Sequence, residues 1–494
     1  MNNIKDYIFQ NEKDKNTDSK IAIIQDHQSI TYSELENLID KFSLKLILDG
    51  VEKGSFIALY MTDSIDLISS FWGAIQIGVI PVLINIKTSL PILEYIYKNS
   101  NCTAMYLNKT MKDKESEINF TNNIYYWSDF EQKQICWRKV KLIENTETQP
   151  IFVLYTSGST GKPKGVIHSQ KSIKAICENY QYTNCRFQKE DTIFSMSKIP
   201  FALGVGTSCI LSQYCKATLI ISEFEIISNI QKLANKNSPT VLVGVPSIYS
   251  SLLDLFSKNN LLFESLRLCI CCGEPLPPIV SEKWKDRYDV PLFEGMGTSE
   301  FLYIFFLNTD KTGKKVGSVG IPISGYQTSV LDEQENPIIN RIGNLYIEGS
   351  SIMKGYIGQT PIQDKGMYTG DKFKIDLDGY YWYKGRTNDL FKINGEWCKA
   401  SDIEFLILNY EEIIEAAVDL QSNNSLNYLV YYLVVSNPLS FNVTNFKRFL
   451  RKKLNARLRP QEIVLVNEIP KGITGKINRL ELKKLEPIKT FTSI

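Results

Sequence analysis

The stretch Leu154-Tyr155-Thr156-Ser157-Gly158-Ser159-Thr160-Gly161-Lys162-Pro163-Lys164-Gly165 constrains this chain more than any other. It follows an apolar run, 151–155, that reads as a buried strand. Glycines let a backbone close around an anion, hydroxyls and N–H groups donate to its oxygens, and lysines offset its charge. The composition therefore predicts a polyphosphate-binding loop. A loop kept only for flexibility has no need of ordered hydroxyls and cations directly after a strand.

The loop is not a Walker A, which needs four residues between its glycines and a Ser or Thr after the Lys. Here two residues separate Gly158 from Gly161, and Pro163 follows Lys162. Proline has no N–H to extend a phosphate cradle. Kinase and GTPase folds built on that motif are disfavoured.

A chain of 494 residues is too long for one core and predicts two or more domains. A net charge of +2 gives no reason to invoke nucleic acid. Residues 1–20 lack the apolar centre of a signal peptide, and no run of about 18 apolar residues suggests a membrane span. A cytoplasmic protein, monomeric or homodimeric, is the expectation. Ten cysteines without a secretory leader are expected to be reduced, buried small hydrophobes; Cys269, Cys271 and Cys272 alternate faces of one strand. With only two histidines, His27 and His168, zinc sites and Ser-His-Asp chemistry are poorly supplied.

Thr31 and Glu34 have capping-box spacing, and Leu35, Leu38, Ile39 and Phe42 form a helical stripe. Strands are predicted at 55–61, 79–84, 240–245 and 266–272, with a helix at 279–288. The alternation implies an α/β fold: a large multi-layer N-terminal domain of strand–helix subdomains. Short alternating runs at 316–349 add a β-rich section. Residues 1–386 are expected to form this core and 387–494 a small mobile α/β lid. In the lid, Ser401 and Glu404 again have capping-box spacing, strands are expected at 389–393, 413–420 and 428–435, and 446–458 reads as a basic amphipathic helix.

Three further motifs follow the loop in order: Glu294-Gly295-Met296-Gly297-Thr298-Ser299-Glu300, then Tyr368-Thr369-Gly370-Asp371 with Gly385-Arg386, then Pro470-Lys471-Gly472-Ile473-Thr474-Gly475-Lys476. With the loop, they resemble the adenylate-forming superfamily of acyl- and aryl-CoA ligases, peptide-synthetase adenylation domains and luciferases. The likeness spans about residues 30 to 480. It implies that Thr156, Ser157, Gly158, Ser159, Thr160, Gly161 and Lys164 cradle ATP. Glu300 would hold Mg²⁺, Ser299 would donate to the α-phosphate, and Glu294 would accept from the adenine amino group beside Gly295, Met296 and Gly297. Asp371 would accept from both ribose hydroxyls, and Arg386 would reach ribose or phosphate oxygens. Lys476 would bridge the acid carboxylate and α-phosphate as charge builds.

The resemblance is nearest to benzoate-CoA ligase-type enzymes, through Cys272-Gly273-Glu274-Pro275-Leu276-Pro277, 297–305 and 389–397. It places Gly273 and Glu274 at the nucleotide, and Phe201, Ala202, Leu203, Tyr303 and Ile304 around the acid. Peptide-synthetase relatives commonly carry Asp where Ala202 stands, so an acid with a conventionally bound α-amine is disfavoured. Leu203 and Tyr303 replace a frequent Tyr and His, which argues against plain benzoate. Asn388 stands at the hinge position, and Lys392, Gly395, Glu396 and Trp397 would face a thiol tunnel once the lid rotates. The implied reaction joins a carboxylic acid to CoA through an acyl-adenylate. The alternatives are loading of the phosphopantetheine arm of a separate carrier protein, a luciferase-like oxygenase, and a non-catalytic nucleotide sensor.

Overall fold

The computed structural model describes residues 3–10, 16–127, 147–156, 162–183, 185–223, 226–257, 263–309, 315–363, 365–387, 390–393, 396–423, 426–470, 477 and 479–492. Two large sheets carry the N-terminal region. The first has seven strands, ordered Gly355–Tyr356, Lys164–Ser169, Pro150–Thr156, Ile80–Leu83, Phe56–Leu59, Cys102–Leu107 and Ile124–Tyr126. The second has nine, with Ile304–Asn308, Leu292–Gly297, Leu268–Cys272 and Val241–Gly244 consecutive within it. Most pairings in both are parallel, as repeated strand–helix units require. The strands expected at 55–61, 79–84, 240–245 and 266–272 all form, each shortened to its apolar centre.

Helix Ile65–Gln76 lies inside the largest hydrophobic cluster, which draws side chains from both sheets. Every residue of it except Asp66 is buried. Helix Tyr32–Leu48 starts at the expected capping box, with Thr31 and Glu34 bonding reciprocally. The two helices approach closely because Gly73 has no side chain. A Cβ there would stand 2.7 Å from the Ile39 carbonyl oxygen. The Ser43 hydroxyl seals the contact by donating to the Gly73 carbonyl at 2.7 Å.

The β-rich section becomes a four-stranded antiparallel sheet, Tyr326–Leu331, Ile342–Gly349, Gly366–Ile375 and Tyr381–Arg386. Phe306 of the nine-stranded sheet packs on Tyr381, ring centroids 4.4 Å apart, and joins the two. The hairpin Leu390–Ile393/Glu396–Lys399 then leads to a smaller sheet of Ile413–Asn423, Leu426–Val435, Glu462–Leu465 and Lys489–Thr492, covered by helices Ala400–Ile407 and Val443–Lys453.

Two local expectations need correction. Helix Ala400–Ile407 is capped by Lys399 without a side-chain bond, so Ser401 and Glu404 make no capping box. Glu404 instead accepts from the Val418 N–H and the Arg479 guanidinium, at 2.8 and 2.7 Å. The basic helix ends at Lys453, and a separate 3-10 turn, Ala456–Leu458, follows.

The described cysteines are free, and all but Cys398 are buried. Cys269 and Cys271 face one hydrophobic cluster and Cys272 another, the alternation expected of a strand. Burial pushes the Cys269 and Cys272 thiols up to about 12. Among the described residues no helix is long and apolar enough to cross a membrane.

Candidate active site

The strands Pro150–Thr156 and Lys164–Ser169 pair antiparallel with Thr156 opposite Lys164, so the glycine-rich stretch closes a hairpin. Ser157, Gly158, Ser159, Thr160 and Gly161 lie outside the described residues. Beside the hairpin, Gly165 makes room for a neighbour: a Cβ there would stand 2.8 Å from Ile357 and 2.9 Å from Tyr155. That space lets the short strand Gly355–Tyr356 pair with Val166 and Ile167. Tyr356 consequently sits under Lys164, whose Nζ is 5.2 Å from its ring centroid. Lys162 faces elsewhere, 5.7 Å from the Tyr95 ring.

The second motif continues strand Leu292–Gly297 into a 3-10 turn, Ser299–Phe301. Gly297 is required there, because a Cβ would stand 2.1 Å from the Tyr303 carbonyl oxygen. Leu302, at φ 66°, closes the turn in a left-handed conformation that costs a bulky residue roughly 1–3 kcal/mol. Two elements tie this turn down, the segment 353–356 and the hairpin strand Lys164–Ser169. The Tyr356 hydroxyl donates to Glu300 Oε1 at 2.9 Å, and the Met353 N–H donates to the Glu300 carbonyl at 2.7 Å. Burial, then the Glu300 charge, raise the Tyr356 phenol, so it remains a donor; the Arg386 charge opposes them. The second tie is His168, fully buried and stacked on Phe152 at 4.9 Å. A carbonyl can only accept, so His168 Nε2 carries the hydrogen donated to the Ser299 carbonyl at 2.9 Å. Burial pushes its pKa down to about 3 and keeps it neutral.

Asp371 and Arg386 are register partners on neighbouring strands. Arg386 Nε lies 3.1 Å from Asp371 Oδ1, and its Nη1 donates to the Thr369 carbonyl at 3.1 Å. The Asp371 carboxylate is buried, while the Arg386 side chain is 52% exposed. Glu294 is buried and accepts from the Leu276 N–H at 3.2 Å, bracing the turn that follows Gly273. Gly273, at φ 102°, gives that turn its bend, and exposed Glu274 accepts from the Ser247 hydroxyl at 3.4 Å. Met296 is partly buried against the cluster of Phe301, Phe306 and Tyr381.

Four of the five expected acid-binding residues, Ala202, Leu203, Tyr303 and Ile304, belong to one hydrophobic cluster. Phe201 precedes helix Ala202–Val205, which runs on into the π-helical segment Gly206–Leu211. Gly206 lies flat against Tyr303, where a Cβ would meet the ring at 2.3 Å. The Thr207 and Tyr303 hydroxyls share a hydrogen bond at 3.0 Å, and the Tyr180 ring meets Tyr303 edge-on at 5.5 Å. Tyr303 and Ile304 are buried; Ala202 and Leu203 are partly buried against the same cluster. Phe201 is exposed.

No group of three His, Cys, Asp or Glu side chains among the described residues could hold a metal alone. The donor set nonetheless suits Mg²⁺, which takes one or two carboxylates and completes its shell with water and substrate phosphates. Glu300 would supply the carboxylate. Two residues before it, the Thr298 hydroxyl oxygen is buried with no hydrogen-bond partner among the described residues.

Lys476, Asn388 and Gly395 lie outside the described residues, as do the side chains of Lys392 and Glu396. Trp397 is described. It meets Lys372, whose Nζ is 4.7 Å from the ring centroid and 3.2 Å from Glu333. With Asp332, Glu333 and Arg341 it lines a cleft of about 390 Å³ on the four-stranded sheet. Sequence reading missed Tyr356, His168, Thr207 and Tyr180. The scarcity of histidine was used only to exclude chemistry, although it also marks His168 as a residue needing a reason.

The model of the family described as AMP-binding enzyme matches residues 9–357. A 4-hydroxybenzoate–CoA/benzoate–CoA ligase of Rhodopseudomonas palustris is 27% identical over 491 residues, covering 94% of this chain and 91% of that protein. A benzoate–CoA ligase of Thauera aromatica is 27% identical over 492 residues, covering 94% and 92%. Among solved structures, a benzoate CoA ligase from Burkholderia xenovorans LB400 superposes with a TM-score of 0.78 at 25% identity, covering 97% of this chain and 99% of that one. Motif order, fold and relatives agree: the chain belongs to the AMP-binding enzyme family, the adenylate-forming superfamily, and lies near its aryl-CoA ligases.

Proposed function

We propose that this enzyme activates a compact aromatic carboxylic acid as its acyl-adenylate and passes the acyl group to the thiol of CoA. The observation that carries the reading is the meeting of Lys164 and Glu300 at Tyr356, together with the pairing of Arg386 with the buried Asp371 carboxylate. A carboxylate is a poor acyl donor. When its oxygen attacks the α-phosphorus of ATP, the bond to the β-phosphate bridge breaks and pyrophosphate leaves. Thiol attack on the acyl carbon then expels AMP. Neither step needs a nucleophilic side chain; both need alignment and charge stabilisation.

Mg²⁺, when bound, would neutralise phosphate charge next to Glu300. Thr156, Lys164 and the 157–161 loop would hold the triphosphate, Ser299 the α-phosphate, and Asp371 with Arg386 the ribose. Gly273, Glu274, Glu294, Gly295, Met296 and Gly297 would surround the adenine. Phe201, Ala202, Leu203, Tyr303 and Ile304 would surround the acid. Residues 1–386 would act as the core and 387–494 as the lid, turning at Asn388 to bring in Lys476 for the first step. Lys392, Gly395, Glu396 and Trp397 would serve the thiol in the second. The absence of an acidic group at Ala202 supports an acid without a conventionally held α-amine, since an unpaired buried charge is expensive.

The test is pyrophosphate exchange over a panel of aromatic, heteroaromatic and short aliphatic acids, followed by CoA or a carrier protein as acceptor. Exchange with compact aryl acids and thioester formation on CoA are expected. No exchange with any acid would overturn the reading, and thioester only on a carrier protein would overturn the choice of acceptor.

A further inference from the structure

We propose that Tyr356 is a positioning residue that holds Lys164 and Glu300, opposite charges flanking the triphosphate, apart and aimed before ATP arrives. The inference rests on the functional reading above and adds a residue to which no motif assigned a role. Two other chain segments meet at this one side chain: Lys164 comes from the hairpin, and Glu300 from the turn after strand Leu292–Gly297. Tyrosine suits the place because its two ends have opposite electrostatic character. The ring face attracts a cation, and the hydroxyl hydrogen is donated to an anion.

Lys164 and Glu300 would otherwise be natural partners, yet among the described residues no ion pair joins them: the Tyr356 ring face instead supports the lysine at 5.2 Å while the hydroxyl bonds the carboxylate at 2.9 Å. A direct salt bridge would have to be broken by every incoming nucleotide. Holding the charges on a neutral spacer leaves Lys164 for phosphate oxygens. It occupies one direction of a carboxylate that still has lone pairs for a metal. The ring is itself fixed: Gly165 and Gly355, the latter at φ 150°, admit its strand, and the Ile357 N–H donates to the Gly165 carbonyl at 2.8 Å.

Two variants of the full chain separate the parts played by ring and hydroxyl. Tyr356→Phe keeps the spacer and loses the donor. Tyr356→Ala loses both. Equilibrium binding of a fluorescent ATP analogue, titrated with Mg²⁺ and repeated in EDTA, reads them without turnover. For Tyr356→Phe the half-saturating Mg²⁺ should rise about three- to tenfold while affinity in EDTA stays within about twofold. For Tyr356→Ala, ATP affinity should fall about tenfold in both conditions. Pyrophosphate exchange should show the same split, with kcat of the Phe variant recovering at high Mg²⁺. A Phe variant that titrates Mg²⁺ like the wild type, or an Ala variant with undiminished affinity in EDTA, would overturn the role of Tyr356 while leaving the reaction in place. A wild-type chain that bound no ATP would overturn the functional reading, and this inference with it.

Discussion

Glu300 follows a strand of the nine-stranded sheet and is fastened to the seven-stranded one: Tyr356 bonds its carboxylate, Met353, just before the Tyr356 strand, its carbonyl, and His168 the carbonyl of Ser299 before it. Trp397, on the far side of the Asp371 strand, meets the four-stranded sheet through the Lys372 ammonium at the rim of an open cleft. One group is braced by partners distant in sequence; the other is held by a contact that a small rotation would undo. The difference matches the tasks proposed for them. Charges facing the phosphates gain from being fixed before reaction, since preorganised groups need no rearrangement in the transition state. A surface that must turn between half-reactions gains from weak attachment.

The largest effect that could break this comparison belongs to Lys476. If the lid brings it to the phosphates, Lys476→Ala should lower pyrophosphate exchange about 100-fold or more, with the melting temperature unchanged. Exchange at the wild-type rate would remove the need for a moving lid. The brace at His168 is next. Its pKa is about 3 in the fold against 6.5 unfolded, so the unfolded chain binds the extra proton between those values. Stability from this residue is complete above about pH 6.5 and falls as pH drops, by about 2 kcal/mol at pH 5. Urea midpoints at pH 7 and pH 5 should show that loss, and His168→Asn should flatten it. Equal pH dependence in both proteins would show the imidazole is not held neutral.

Gly206→Ala sharpens the comparison on the acid side. The new methyl would displace the Tyr303 ring, and the KM for the acid should rise about tenfold with little change in the KM for ATP. An unchanged acid KM would take Tyr303 out of the pocket. The smallest effect is expected at the weak contact. Lys372→Met removes a cation–π interaction worth about 1 kcal/mol, and should change the ratio of thioester to adenylate rates two- to fivefold without altering ATP affinity. A ratio equal to that of the wild type would make the contact incidental.

What could be read from sequence followed the distance between partners. Thr31 and Glu34 bond three residues apart, and the capping box was visible in advance. Ser401 and Glu404 have the same spacing, but Glu404 is taken by Arg479 and Val418, so tertiary partners overrode the local motif. The nucleotide motifs were legible because each gathers glycines, hydroxyls and charges within a few residues. Their fastening was not. Tyr356 meets Glu300 across 56 positions, Thr207 meets Tyr303 across 96, and His168 meets Ser299 across 131. Such pairs exist only once the sheets are stacked. The residues proposed around the acid could be named by likeness, while the close approach of Gly206 to Tyr303 needed coordinates.

The strand Leu268–Cys272 carries a last implication. A catalyst that manufactures an electrophile meant for sulfur risks acylating itself, and this one has Cys272 immediately before Gly273. Its thiol, like that of Cys269, is kept protonated by burial, with a pKa of about 12, and so is a feeble nucleophile at neutral pH. These two thiols are thereby chemically quiet toward an activated acid, although they lie in the same strand that leads to Gly273.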